Sequence, residues 1–319
     1  MGIRTGGQRE DRVTGAIEAQ TSKVPSSGCM KMKNTKVNRR AFVKGAGIAT
    51  LGVTGASWLG GKMGILEPLP GAKSLGLTPA EVQAAEITDV DILNFALNLE
   101  YLEAEFYTVA TTGRTIDETG IATGGTGNPG PTTGGKQVSF EADGQQTESS
   151  GKLRAIAEEL AFDEQQHVKL LRSALGSAAI AKPAINLDAL GVGFNNFKQF
   201  LTLARAFEDV GVSAYGGAAP LISDKTILAT AARIALTEAL HSGNIRLLVA
   251  ENNVAVPPVD TLDVLPPPAG KQYFEVDKNA LAIVRVPSQV LHIVYGKWEQ
   301  GVSSGGFFPM GLNGTITTG

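Results

Sequence analysis

Apolar residues recur at helical spacing in four long runs of the chain. In the first run they begin at Ile92 and continue to Phe106, three or four positions apart, as on one face of a helix. The second run covers about Gly151 to Leu175, the third about Asn195 to Ala219, and the fourth about Ser223 to Glu251. Helices with one apolar stripe bury it against one another. The pattern therefore predicts an all-α fold built on a four-helix bundle, residues 85–252.

The segments between and after these helices predict long, irregular connections. Gly113 to Gly151 is rich in Gly, Thr and Pro, which indicates a loop, and Val138-Ser139-Phe140 within it predicts a short strand. Gly176 to Asn195 is a second long connection. About twenty extended residues can cover more than the length of a bundle, so this connection is long enough for the crossover that a bundle with parallel second and third helices needs. Residues 253–319 predict an irregular extension packed on the bundle, with one short helix at Val286 to Trp298.

Two of the predicted helices carry the same short motif, a glutamate followed three residues later by a histidine. The motif is Glu164–His167 in the second helix and Glu238–His241 in the fourth. Residues three apart lie on the same face of a helix. The chain has 3 histidines, so two of them complete this motif. Glu-x-x-His on two helices of a bundle is the signature of a di-metal carboxylate site.

Such a site also takes one glutamate from each of the other two helices. Glu100 and Glu208 occupy those places, and each is followed seven residues later by a tyrosine on the same helix face, Tyr107 and Tyr215. The order is therefore duplicated, as in two repeated helix hairpins. The tyrosines could hydrogen-bond the ligands or donate electrons, although packing is the simpler role for both. The alternative for the whole set is that its acids face solvent, and the surrounding apolar stripes argue against it.

Three further titratable residues are given lesser roles. Glu103, one turn beyond Glu100, is a reserve metal ligand, for which a supporting or surface position is simpler. Glu105 points away from the apolar stripe and is expected in solvent. His292 has no acidic partner nearby in the sequence and is expected to be structural.

The net charge of −3 is unevenly distributed along the chain. Residues 1–84 carry 12 of the 28 basic and 5 of the 31 acidic residues, so residues 85–319 hold 16 basic and 26 acidic ones. This acidic body argues against nucleic-acid binding, which needs a basic face. Cys29 is the single cysteine, ahead of the region expected to be removed, so thiolate metal sites and disulfides are excluded from the mature chain. Carboxylate and imidazole ligands suit iron, manganese or zinc.

The N-terminal part predicts export. Residues 1–36 are polar and are expected to be disordered, with Met30 or Met32 as alternative true starts. Asn38-Arg39-Arg40-Ala41-Phe42-Val43-Lys44 then resembles a twin-arginine export signal. The mildly apolar run after it, Gly45 to Gly60, is too short for a stable transmembrane helix. We therefore expect residues 37–84 to be a signal region cleaved near Ala84. The twin-arginine translocase would be a partner, and the mature protein would be periplasmic, extracellular or on the cell surface.

With these residues located, the chain resembles the ferritin-like superfamily and, within it, the desiccation-related ferritin-like family of plants and bacteria. The resemblance covers about Ile87 to Thr315. It rests on the segment Leu97 to Tyr107, on the two Glu-x-x-His motifs, and on the tail sequences Gly306-Phe307-Phe308-Pro309 and Gly311-Leu312-Asn313-Gly314.

The resemblance implies a centre of two iron ions or, alternatively, two manganese ions. Glu164 and Glu238 would bridge the two metals, Glu100 and Glu208 would be terminal carboxylates, and His167 and His241 would each bind one metal. The implied function is oxidation of Fe(II), or reduction of oxygen or hydrogen peroxide. A manganese catalase-like enzyme and a non-enzymatic desiccation or stress protein, with a structural or vestigial metal site, remain alternatives. A homo-oligomer is compatible with the resemblance, but the long loops argue against a ferritin cage.

Overall fold

The structure is a computed structural model that describes Gly2, residues 87–141 and residues 147–319. Apart from Gly2, the predicted N-terminal extension and the export signal, residues 1–84, lie outside the described residues. The described part confirms the all-α prediction. Its helices are α1 (Asp89–Thr112), α2 (Glu148–Leu175), α3 (Phe197–Ala218), α4 (Lys225–Glu251) and a short α5 (Pro287–Tyr295). None of the helices in this part of the chain combines the length and the hydropathy needed to cross a membrane.

The four long helices form two hairpins, α1 with α2 and α3 with α4, which are the most extensively packed pairs of elements. Their starts are set by local side chains. The Thr88 hydroxyl accepts a hydrogen bond from the backbone N–H of Asp91, and the Asp91 carboxylate accepts one from the backbone N–H of Thr88. Asn196 and Asp224 cap α3 and α4 in the same way, by accepting from backbone N–H groups of the first turn. These caps satisfy N–H groups that a helix start leaves free.

The long loop after α1 and the crossover after α2 are joined to each other. Strand β1 (Thr132–Thr133) pairs in parallel with β2 (Ile185–Asn186). The prediction of a strand at Val138-Ser139-Phe140 is wrong, because these residues are irregular and pair with a helix end instead. The backbone N–H of Val138 donates to the carbonyl of Ala110 at 2.8 Å, and Val138 and Phe140 are both buried. Their apolar side chains therefore anchor the loop on the bundle.

The C-terminal extension is held on the bundle by buried polar residues. Asn98 of α1 and Asn313 bond to each other twice: the Asn98 side-chain amide donates to the Asn313 carbonyl at 2.9 Å, and the Asn313 backbone N–H donates to Asn98 Oδ1 at 3.1 Å. The Asn313 side chain also donates to the carbonyls of Asn128 and Ala181, each at 2.9 Å. The Asn of the Gly-Leu-Asn-Gly tail thereby ties α1, the loop and the crossover together.

A buried network of charges makes a second attachment. Three fully buried arginines of α3, α4 and the extension contact four acidic residues. The arginines are Arg205, Arg246 and Arg285, and the acids are Asp209, Asp260, Asp263 and Glu275. Asp209, Asp263 and Glu275 also lie close enough together to suggest a cation site. Because the guanidinium groups already neutralise them, we interpret this cluster as an ion-pair network.

Candidate metal centre

The four long helices bring all six predicted ligands to one place inside the bundle. The four glutamates are fully buried, and His167 and His241 are 7% and 8% exposed. The side chains form two groups, in each of which one ligand atom per residue lies within 4.8 Å of the others. The first group is Glu100, Glu164, His167 and Glu238, and the second is Glu164, Glu208, Glu238 and His241. Glu164 and Glu238 therefore belong to both groups, as bridging carboxylates would.

The first group is arranged around one ring nitrogen of His167. Its Nδ1 lies 2.9 Å from Glu164 Oε2, 3.2 Å from Glu238 Oε1 and 3.3 Å from Glu100 Oε2. A single imidazole N–H cannot direct good hydrogen bonds to three oxygens at once. One nitrogen and three carboxylate oxygens converging from three helices are instead the kind of donor set that surrounds a cation.

The second group repeats this arrangement with His241. The His241 Nδ1 lies 3.0 Å from Glu164 Oε1 and 3.4 Å from Glu208 Oε2. The centres of the His167 and His241 rings are 6.3 Å apart. Each group thus has one imidazole and one carboxylate of its own, besides the two glutamates that they share.

Several ligand atoms have no hydrogen-bond partner in the described part of the chain, although they are buried. They are Glu100 Oε2, Glu164 Oε1, Glu208 Oε2, both oxygens of Glu238, and His241 Nδ1. A buried polar atom without a partner costs about 1–3 kcal/mol, and a charged one costs more. All of these atoms except Glu238 Oε2 take part in the short contacts between histidine nitrogens and carboxylate oxygens within the two groups. The donor set therefore fits two divalent cations, whose charge would balance that of the four carboxylates.

Without a metal, protons must offset the charge of this cluster. Burial raises the pKa of Glu164 to about 7, against the opposing influence of His167 and His241, whose Nδ1 atoms lie 2.9 and 3.0 Å from its oxygens. Burial and the nearby Glu164 carboxylate hold the pKa of Glu238 well above its ordinary value. Burial by itself would lower the pKa of His241, but Glu164 and Glu208 raise it to about 12. Metal binding must displace such protons, because a histidine ligand has to be neutral.

The two predicted tyrosines contact the glutamates across the bundle. Tyr107 of α1 donates its hydroxyl hydrogen to Glu208 of α3, and Tyr215 of α3 donates to Glu100 of α1. Burial raises the pKa of both tyrosines well above the ordinary value, and the accepting carboxylates raise it further. The hydroxyls are therefore protonated donors that hold the two unshared glutamates in place.

Glu103 lies beside the cluster but belongs to neither ligand group. It is 4% exposed. Burial raises its pKa well above the ordinary value, and the charges of Glu238 and Glu164 add to this effect. A neutral carboxyl can remain in such a place without a counter-ion. The position of Glu103 beside the ligands agrees with a supporting role, which the sequence favoured over direct binding of a metal ion.

The prediction that Glu105 is in solvent is wrong. Glu105 is fully buried, and the Lys182 ammonium lies 2.8 Å from its Oε1. The backbone N–H of Ile116 donates to its other oxygen at 3.2 Å. The crossover and the loop after α1 cover this face of α1, so an outward-facing acid becomes an internal ion pair.

Asp163 is a further residue of the site, and the sequence motifs did not identify it. Its Oδ2 lies 3.1 Å from His241 Nε2, the ring nitrogen opposite the one that faces the glutamates. A carboxylate there keeps the proton on Nε2 and leaves the Nδ1 lone pair free for a metal. The side chain is 30% exposed and lines a cavity of about 180 Å³, whose walls are of mixed polarity, with Glu159, Asn244 and His241. The one sequence signal is its place directly before Glu164.

Replacing Asp163 by asparagine should weaken metal binding at the His241 side. We expect a loss of about 10–100-fold in affinity for one of two ions, because the amide no longer favours the correct histidine tautomer. Competition titration with a metal-sensitive dye would measure it. Glu158→Gln is the control, since Glu158 is an exposed residue of the same helix that pairs with Arg154. Equal affinities in both variants would show that Asp163 has no part in the site.

The chain has a four-helix bundle with two shared glutamates, two unshared glutamates and one histidine for each ion. This arrangement places it in the class of carboxylate-bridged di-metal bundles. The family model of the ferritin-like domain matches residues 88–251, which is more than half of the sequence. The chain belongs to the ferritin-like domain family. It is also similar to the desiccation-related protein PCC13-62 of Craterostigma plantagineum, with 27% identity over 183 residues.

The second match supports the resemblance to desiccation-related proteins. It covers 51% of this chain and 54% of the relative. The chain thus matches about half the length of this curated protein. The matched family region, residues 88–251, contains all six ligand-type residues.

Proposed function

We propose that this protein is an exported di-iron oxidoreductase that oxidises Fe(II) or reduces oxygen or hydrogen peroxide. The observation that carries the proposal is the sharing of Glu164 and Glu238 between two groups of buried ligand atoms. Two bound ions of iron or manganese would together supply two electrons at one place, the number that converts dioxygen to hydrogen peroxide or hydrogen peroxide to water.

The chain's own residues would hold this centre in a fixed geometry. His167 and His241 present Nδ1 to the glutamates, and Asp163 fixes the tautomer of His241. Tyr107 and Tyr215 hold the two unshared glutamates from the opposite hairpin. Rigid placement of this kind reduces the rearrangement that a charge change at the centre would require. The surrounding helix faces are apolar and limit access of bulk water.

Two alternatives are each favoured by a particular observation. The cavity beside His241 has room for a molecule as small as hydrogen peroxide next to one of the two histidines, and so favours a manganese catalase-like enzyme. The similarity to a desiccation-related protein favours a stress-associated protein whose metal site is structural. For the mature protein we propose a periplasmic or extracellular location, on the basis of Arg39-Arg40 and the apolar run that follows them.

Turnover by the metal-loaded protein separates these functions. We expect protein loaded anaerobically with Fe(II) to consume dioxygen, with about two Fe(II) oxidised per dioxygen reduced to hydrogen peroxide. An oxygen electrode and absorbance spectroscopy would follow the reaction, and Glu208→Ala is the variant that should lose it. Rapid release of oxygen from hydrogen peroxide by the manganese-loaded protein would select the catalase instead. A protein that binds the metals and performs neither reaction would favour the structural alternative.

A further inference from the structure

The outward side of α4 is apolar, unlike that of α2. Between residues 229 and 250 of α4, Arg233 is the one exposed residue that carries a charge. On the same side Leu236 is 67% exposed, Leu240 is 74% exposed and Leu247 is 45% exposed. The exposed charged residues of α2, by contrast, are Lys152, Arg154, Glu158, Glu159 and Lys169. A helix that is apolar on its outward side as well as its inward side is typical of a helix buried on both.

Four residues on this side of α4 form one stripe. Leu236, Leu240, Gly243 and Leu247 are spaced four, three and four residues apart, so they lie on one face of the helix. We call them the α4 stripe. The spacing is the same when it is read in the reverse direction. Two copies of the stripe that cross antiparallel about a two-fold axis would therefore place Leu236 opposite Leu247 of the second copy, and Leu240 opposite Gly243 of the second copy.

Gly243 leaves an open space in the middle of the stripe. A Cβ atom on Gly243 would meet no neighbouring segment of the described chain within 4 Å. A glycine within a helix costs about 1 kcal/mol relative to alanine, and no left-handed backbone conformation accounts for this one. The space therefore serves no contact within the described chain. A leucine from a second copy would fill it, as the antiparallel crossing requires.

The two ends of the stripe carry opposite charges. Arg233 lies three residues before Leu236, and Glu251 lies four residues after Leu247. Both charged residues are exposed. In an antiparallel crossing, Arg233 of each copy lies opposite Glu251 of the other copy. A parallel crossing would place like charges opposite each other, so the charges favour the antiparallel arrangement.

The face has the size that a specific contact needs. From Arg233 to Glu251 it runs about 27 Å along α4, at 1.5 Å per residue. Phe162 of α2 widens the apolar surface, since it is 59% exposed and directly precedes Asp163, which lines a cavity together with Leu240. Two adjacent helices, each about 10 Å wide, give such a face a projected area of roughly 540 Å². The accessible area of a curved surface is larger, which brings it near the roughly 800 Å² per partner of specific interfaces.

We propose that α4 forms the interface of a homodimer, in which the α4 stripes of two copies cross antiparallel about a two-fold axis. The four residues of the stripe and the two charged residues at its ends are not metal ligands, so the inference stands apart from the proposed function. Leu240 also lines the cavity beside His241. The second copy would therefore lie next to that cavity.

Sedimentation velocity of the metal-free, full-length protein over a range of concentrations tests the dimer. We expect a species with twice the mass of one chain. Leu236→Glu and Leu240→Glu should each raise the dissociation constant by about 30-fold or more, as for a central interface residue, because each substitution enters a two-fold contact twice. Leu281→Glu is the matched control, since Leu281 is a 62% exposed leucine of the C-terminal extension. Circular dichroism would show that each variant is folded, as expected for substitutions at exposed positions.

A charge reversal tests the antiparallel arrangement. Arg233→Glu should weaken the dimer several-fold, and the addition of Glu251→Arg should restore it, because the double variant again places opposite charges across the interface. Failure of the second substitution to restore the dimer would overturn the antiparallel crossing.

Two results would overturn the interface itself. One is a protein that stays monomeric at all concentrations, and the other is a dimer that neither Leu236→Glu nor Leu240→Glu weakens. Flotation with vesicles of phosphatidylcholine and phosphatidylglycerol would then identify a different occupant. A monomer that binds these vesicles, and no longer does so after Leu240→Glu, would assign the face to a lipid surface instead of a second copy.

Discussion

Replacing Glu164 by alanine will abolish high-affinity binding of both metal ions. Glu164 contributes one oxygen to each ligand group, 2.9 Å from His167 Nδ1 and 3.0 Å from His241 Nδ1. Loss of a residue that only orients a ligand already costs about 10–100-fold in metal affinity, so we expect a loss of more than about 100-fold at both positions. The stabilisation by metal, about 2.7 kcal/mol at a hundredfold excess over the dissociation constant, should disappear with it.

The fold should survive this substitution. Glu164 is one of several acidic groups crowded together, and burial and the charges of Glu100 and Glu208 contribute to its raised pKa. We therefore expect the helix content of the metal-free variant to match that of the unsubstituted protein by circular dichroism. Glu158→Ala, on the exposed face of α2, serves as the control. If Glu164→Ala combined with His241→Ala retained full metal stoichiometry, the ligand assignment would be wrong.

Replacing Arg246 by methionine should destabilise the protein by about 3–5 kcal/mol, because it removes one partner from a buried ion-pair network. The Arg246 side chain is fully buried, and its Nη1 donates to Asp209 Oδ2 at 2.6 Å. It also donates to the backbone carbonyls of Val264, Gln272 and Tyr273 in the extension. Methionine would fill much of the space but leave these acceptors and a buried carboxylate with fewer donors.

The matched control for this prediction is Arg154→Met. Arg154 pairs with Glu158 one turn along α2 at 2.9 Å, but both side chains are about half exposed. An exposed pair of this kind contributes about 0.3–0.5 kcal/mol. Urea unfolding of the metal-free proteins would measure both changes in the free energy of unfolding. Equal effects of the two substitutions would show that the buried network does not hold the extension on the bundle.

The sequence was sufficient to predict those features that depend on local spacing. Apolar residues at helical intervals predicted the four long helices, and Glu-x-x-His placed two ligands on one face of a helix without knowledge of the partner helices. The tyrosines show the limit of this reasoning. Tyr107 lies about 10.5 Å along the helix axis from Glu100, since seven residues rise by that distance. It therefore reaches Glu208 on α3 instead of the glutamate of its own helix.

Features that depend on contacts between distant segments could not be predicted. Glu105 has the sequence context of an exposed acid, and only the crossover supplies its partner Lys182. Strands β1 and β2 have two residues each and no alternating pattern, so they form because the loop and the crossover lie side by side. Asp163 looks like any acid on a half-exposed helix face until α4 brings His241 to it.

Elemental mass spectrometry of protein purified through its native export route tests the central claim most directly. The two ligand groups predict close to two iron or manganese ions per chain, and the identity of the metal would choose between the oxidase and the catalase. The same stoichiometry should return when metal-free protein is loaded anaerobically with Fe(II) or Mn(II). Protein that contains no metal after purification, and none after such loading, would contradict the assignment of this cluster as a di-metal centre.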